Sequence, residues 1–239
     1  MEQLIRLQKY IADAGLCSRR AAEKMIEDGR ITVDGIPAYL GQKVLNGQKV
    51  CVDGRLIRSQ RKNNVYIMMY KPRGYVTTAS DEMGRKCVVD ILSSVSERVY
   101  PIGRLDKDSE GLLLLTNDGD LANKLMHPRH HIGKTYRTVV TGKVSREQIV
   151  ALSSGVTLDD GYKTGKAQVD VLKEKDDRTV LGITVFEGKN RQIRRMCDAV
   201  GLNLLRLKRE KIGNLSIGTL RAGQYRKLSS KEVEYLKSL

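Results

Sequence analysis

GRLDKDSEGLLLLTNDG, residues 103–119, places Arg104 and Asp106 just ahead of four consecutive leucines. A short, unbroken apolar run closed by turn residues has the length of a β-strand covered on both faces. Thr116-Asn117-Asp118-Gly119 ends that strand, and Asp120 is expected to cap a short helix reaching Met126. The carboxylate at 106 is then either a solvated turn residue or a group held partly out of water for chemistry. An isolated Gly-Arg-Leu-Asp is more often the former.

Neighbouring segments extend the sheet. Residues 65–70 (VYIMMY) make a second buried strand, broken at the turn Lys71-Pro72-Arg73-Gly74. KTYRTVVTG (134–142) reads as a strand. Ala167, Val169 and Val171 share one face of another, which turns at residues 175–178 into a strand carrying Val180, Ile183 and Val185. Hairpins with few helices and no βαβ rhythm predict an α+β unit over residues 65–239, a mixed, mainly antiparallel sheet flanked by helices. In GKNRQIRRMCDAVG (188–201), Ile193, Met196, Cys197 and Val200 recur on one helix face, with Arg191, Arg194, Arg195 and Asp198 on the opposite one.

Residues 1–60 read as a separate small module. Leu4, Leu7, Ile11 and Ala14 have helical spacing and Gly15 ends the helix. Ser18 caps a second helix whose apolar stripe is Ala22, Met25 and Ile26. RITVDG and KVCVDG are short β runs closed by Asp-Gly turns. RSQRKNN (58–64) is polar, basic and aperiodic, and reads as the linker.

Charge narrows the partner. Across 239 residues, 43 Lys and Arg face 28 Asp and Glu, a net charge of +15 that points to a polyanion. Residues 187–211 alone hold eight cations against three acids, which raises nucleic acid above a merely solvated face. The four cysteines are scattered without a C-x-x-C pair, as in an intracellular protein with reduced thiols. MEQLIRLQKYIADAG carries charges within its apolar pattern and is not a signal peptide, and no apolar run is long enough to span a membrane. A cytoplasmic location is expected.

Several chemistries can be set aside. Asp106, Asp108, Asp118 and Asp120 lack the spacing of a calcium loop. His127, His130 and His131 have no cysteine or acid at ligand spacing, so no metal site is expected. No serine sits in a nucleophile elbow. A single Asp with arginines available remains, and an Asp beside Arg in a partly dry site stays ionised and can act as nucleophile or base.

The stretch is not isolated. LQKYIADAGLCSRRAAEKMIEDGRITVDG resembles the S4 RNA-binding domain. GRLDKDSEGLLLLTNDGDLANKLMHP resembles the catalytic motif of the RsuA/RluB/RluE/RluF family of ribosomal RNA pseudouridine synthases, with Ser109 where many members carry Thr. KPRGYVTT, KTYRTVV, EGKNRQIRRM and the closing RLKREKIGNLSIGTLRAGQYRKLS match in order, so the resemblance covers essentially the whole chain. It implies isomerisation of uridine to pseudouridine without a cofactor, by a monomer acting on ribosomal RNA. The pattern leans to the RluB branch and 23S rRNA near the peptidyl-transferase region, with 16S rRNA or a non-catalytic assembly factor as alternatives. It also implies Asp106 as the catalytic carboxylate, attacking the ribose or removing a ribose proton. Tyr136 is implied to stack on the uracil and assist proton removal from C5. Of Arg104 and Arg194, one is implied to orient Asp106 and the other to hold phosphate as the nucleotide flips out. RNA contact falls to Arg19, Arg20, Lys24, Arg30, Lys71, Arg191 and Arg195.

Overall fold

The computed structural model describes residues 4–45, 47–57 and 63–239. The chain divides into two compact units, Met1–Asn63 and Asn64–Leu239. Most of the expected linker lies outside the described residues.

The first unit runs β1 (Ile5–Arg6), α1 (Leu7–Asp13), α2 (Arg19–Glu27), β2 (Ile31–Val33), β3 (Ile36–Pro37), β4 (Lys43–Val44), β5 (Val50–Val52) and β6 (Arg55–Leu56). The first helix begins at Leu7 rather than Leu4, because Ile5 and Arg6 pair with Val44 and Lys43 and are drawn into extended backbone. Ser18 caps α2, its hydroxyl accepting from the Ala21 amide at 3.1 Å. Asp34 and Asp53 take the positive φ, 52° and 48°, that opens a tight hairpin turn ahead of glycine. The strand order β3-β2-β5-β6 follows from those two turns. Leu7, Ile11, Ala22 and Ile26 close over Ile31 and Val50.

The second unit holds β7 (Tyr66–Lys71), β8 (Tyr100–Ile102), β9 (Glu110–Thr116), α3 (Gly119–Met126), β10 (Lys134–Thr141), α4 (Arg146–Ser154), β11 (Gln168–Glu174), β12 (Arg178–Val185), α5 (Gln192–Ala199), β13 (Leu204–Ile212), β14 (Leu215–Ser216), β15 (Tyr225–Lys227) and α6 (Ser230–Ser238). Its sheet has the order β11-β12-β10-β13-β9-β7-β15, with β14 on β13 and β8 on β9. Among the described residues every pairing between these strands is antiparallel except β9 with β13. At that crossing Gly111 sits at φ +107°, and a Cβ there would stand 2.2 Å from the Arg209 carbonyl.

The four leucines divide between two cores. Leu112 and Leu114 pack with Met68, Leu121 and Leu236, whereas Leu113 and Leu115 pack with Ile67, Met69 and Val88. The strand is therefore covered on both faces, as its unbroken hydrophobicity requires. Three details differ from expectation. Asp118, not Asp120, caps α3, its Oδ1 accepting from the Leu121 amide at 3.0 Å. Val171 is exposed, because β11 is an edge strand. Helices α4 and α6 were not expected, although Ser145 with Gln148 and Ser229 with Glu232 form capping boxes.

Candidate active site

Asp106 lies in the loop between β8 and β9, four residues before the buried β9 begins at Glu110. Main-chain contacts fix this loop from three directions. The Lys71 side chain is fully buried at the end of β7, and its ammonium donates to the carbonyls of Pro72 (3.0 Å), Asp106 (3.0 Å) and Ser109 (2.8 Å). Thr77 Oγ1 donates to the Leu105 carbonyl at 2.6 Å and accepts from the Leu105 amide at 3.2 Å. The Ser109 amide closes a turn on the Asp106 carbonyl at 3.0 Å.

Lys71 is thus not an RNA ligand. Its donors are spent on buried carbonyls, and burial pulls its pKa down to about 8 against the attraction of Asp106, Asp108 and Glu110. It still carries its proton at neutral pH. Lys71→Met should strand those carbonyls, lowering the unfolding free energy by about 1–3 kcal/mol and activity with it. Urea denaturation measures the first; an unchanged midpoint would mean that the loop satisfies its carbonyls without Lys71.

Helix α5 supplies the charge that faces Asp106. Arg194 Nε stands 3.7 Å and Arg191 Nη1 3.8 Å from the same oxygen, Asp106 Oδ2. These are ion pairs longer than hydrogen bonds. The carboxylate accepts no hydrogen bond from any described residue, so its lone pairs remain open to a substrate. The two arginines differ in surroundings, with side chains 15% and 46% exposed respectively. Arg194 Nη2 also donates to the Ser109 hydroxyl and the Asp108 carbonyl, both at 3.2 Å, which gives the hydroxyl at 109 its use. Burial, with the Arg191 charge, lowers the Arg194 pKa.

The turn leading into α5 is braced from within. Glu187 accepts from the Tyr162 hydroxyl (2.7 Å), Gln192 Nε2 (2.6 Å) and the Gly165 amide (3.1 Å). Arg191 then takes a left-handed φ of 48° at the helix start.

Asp106, Arg104, Tyr136 and Arg191 line one cleft of about 530 Å³, a volume within the range of small-ligand sites. Arg104 is exposed and, among the described residues, forms no ion pair. Of Arg104 and Arg194, one of which is implied to orient Asp106 and the other to hold phosphate, the one beside the carboxylate is Arg194. Arg191, expected on RNA, stands there too. Arg195 is a correction: its guanidinium binds Asp159 and Asp160, and its matched charge is not available to phosphate. Lys134 and Arg209, which also line the cleft, were not foreseen; Lys134 shares the face of Tyr136 at strand spacing, a signal too common to single it out.

In the first unit, Arg19, Arg20, Lys24 and Arg30 are all exposed. Arg30 is held bidentate by Asp53, at 2.9 and 2.5 Å, so its charge is already matched. No group of three or more His, Cys, Asp or Glu able to hold a metal occurs among the described residues, and none of their helices is long and apolar enough to cross a membrane.

Residues 65–199 match the family model of RNA pseudouridylate synthase, and residues 5–44 match that of the S4 domain. The chain belongs to the RNA pseudouridylate synthase family. It is 44% identical over 236 residues to ribosomal large subunit pseudouridine synthase B of Bacillus subtilis, covering 98% of this chain and 96% of that one. It is 40% identical over 229 residues to the dual-specificity RNA pseudouridine synthase RluF of Salmonella typhi, covering 95% and 77%. A solved pseudouridylate synthase with 28% identity superposes with a TM-score of 0.69 over 97% of this chain and 99% of that one. Asp106 and the two arginines that face it lie within the residues that match the synthase model.

Proposed function

We propose that the chain isomerises a uridine of large-subunit ribosomal RNA, in the 23S rRNA near the peptidyl-transferase region, with Asp106 as the reacting carboxylate. The observation that carries this reading is Asp106 Oδ2 set 3.7 and 3.8 Å from two guanidinium groups at a cleft, with no hydrogen bond to it from any described residue. Whether the carboxylate attacks the ribose or removes a ribose proton, it must be ionised and have a free lone pair. The arginines face it with positive charge, and the loop contacts of Lys71 and Thr77 keep it aimed. Tyr136 on the cleft wall stacks on the flipped uracil, and Arg104 at the exposed rim holds phosphate. The large-subunit target rests on the name and 44% identity of the Bacillus subtilis relative. Mapping pseudouridines in ribosomal RNA from cells with and without the protein tests it: one 23S site should vanish, and loss of a 16S site instead would move the target to the small subunit.

Residues 1–60 act in this reading as an RNA-binding arm of a cytoplasmic monomer, and residues 65–239 as the catalytic unit. Arg19, Arg20 and Lys24 form the phosphate-binding face of α2. Replacing all three by Ala should lower the slope of log affinity against log salt by about 2, while the rate at saturating RNA stays near wild type. Binding titrations at several salt concentrations measure it. An unchanged slope would remove α2 from the RNA contact.

A further inference from the structure

Two cations in the cleft form no ion pair with any acid among the described residues. Tyr136 on β10 pairs directly with Arg209 on β13, and Lys134 lies two residues back on the same face of β10. A register shift lies between Thr135 and Tyr136, and Lys134, Tyr136 and Arg209 all line the same cleft, within reach of one small ligand. Arg209 is 3% exposed; its Nε donates to the Leu112 carbonyl at 2.8 Å, but Nη2 is buried with no acceptor. Lys134 Nζ donates to the Ile132 carbonyl at 3.2 Å, and neither cation forms an ion pair with any described acid. Burial and the nearby Arg209 charge both lower the Lys134 pKa. Leu114, Leu207 and Ile212 line the same cleft.

A cation drawn out of water without a counter-ion is costly, and a second cation on the same cleft adds to that cost; Arg209 is buried and Lys134 half-buried. Such an arrangement is relieved when a negatively charged or strongly polarised oxygen arrives. A backbone phosphate is the poorer fit, because it stays hydrated and can meet Arg104 and Lys189 on the same cleft. A planar base against Tyr136, with apolar side chains beside it, is the better one.

We propose that Lys134 and Arg209 bind the carbonyl oxygens of the target uracil and take up its negative charge when the base leaves the ribose. The proposal rests on the reading of Asp106 and Tyr136 above. When the N1–C1′ bond breaks, its electron pair stays on the uracil and spreads from N1 onto O2 and O4. C1′ is meanwhile satisfied by the Asp106 carboxylate or by loss of a ribose proton, which is later returned. After rotation, C5 forms the bond to C1′, its proton leaves to a base in the cleft, and N1 gains a proton. Nothing is oxidised or lost. Donors waiting in a dry site for charge that develops only during reaction are the kind that speed the step rather than tighten binding.

The test uses the full-length protein and ribosomal RNA fragments carrying uridine or 5-fluorouridine at the target. Wild-type turnover of uridine comes first, and its absence would overturn the functional reading and this proposal with it. Given turnover, Lys134→Met should lower the single-turnover rate of N1–C1′ cleavage on uridine by roughly 10²-fold at saturating RNA, with affinity nearly unchanged. On 5-fluorouridine, whose fluorine already stabilises the departing anion, the loss should be several-fold smaller. Lys134→Arg should retain most of the rate. Because Lys134→Met removes a half-buried charge that forms no ion pair with any described acid, its melting temperature should equal or exceed that of wild type, which a structural lysine would not permit. Equal losses on both nucleotides, a loss of affinity without a loss of rate, or a lowered melting temperature would overturn the proposal.

Discussion

Asp106→Asn is expected to abolish isomerisation, by roughly four orders of magnitude or more, while RNA binding stays close to wild type. The substitution keeps the volume of the side chain and its place in the loop, whose fixing contacts with Lys71, Thr77 and Ser109 run through backbone atoms. It removes only the ionised oxygen, which is the group that either attacks the ribose or takes its proton. Binding is spared because that oxygen carries a negative charge in a basic cleft, where its loss, if anything, favours a polyanion. Single-turnover rates and filter binding on the same RNA fragment separate the two effects. Residual turnover above about one hundredth of the wild-type rate would take Asp106 out of the chemistry.

Arg194→Ala is expected to cost several hundredfold in single-turnover rate at saturating RNA, and Arg191→Ala less than about fivefold. Both arginines stand at nearly the same distance from Asp106 Oδ2, so distance does not separate them. Burial does. An ion pair shielded from water costs about 3–5 kcal/mol when one partner is removed, whereas an exposed one is worth about 0–1 kcal/mol. Arg194 is the shielded partner, and it also ties α5 to the loop through Ser109 and Asp108. Arg191 is half exposed, so its effect should shrink further in added salt, which screens exposed charges but not the Arg194 pair. Equal rates for the two variants at saturation would refute the positioning role of Arg194.

The features legible in the sequence are those set by short-range stereochemistry. Four unbroken leucines specify a strand buried on both faces whatever lies beside it, because an unalternating apolar strand has no face to offer water. Asp34-Gly35 and Asp53-Gly54 specify tight turns through the φ that only such pairs adopt without cost. The spacing of Ile193, Met196 and Cys197 specifies which face of α5 is buried. The family motifs, being contiguous, were equally legible, and they brought Asp106, Tyr136 and Arg194 with them. Helices α4 and α6 announced themselves only by their capping boxes, since their weak amphipathic patterns left no stripe to read.

What the letters left open is where each cation goes. Lys71, Arg191, Arg194, Arg195, Lys134 and Arg209 are all basic residues in basic segments, and local sequence treats them alike. Their fates depend on contacts across long stretches of chain. Lys71 is consumed by carbonyls some 35 residues away at Asp106 and Ser109. Arg195 is taken by Asp159 and Asp160, while Arg194, its neighbour on α5, turns to the loop of Asp106. The pairing of β10 with β13 sets Arg209 opposite Tyr136, and its Nη2 finds no hydrogen-bond partner among the described residues. Charge is a property of the residue, but whether a charge is solvated, paired or stranded depends on the dielectric and the partners that tertiary packing builds around it.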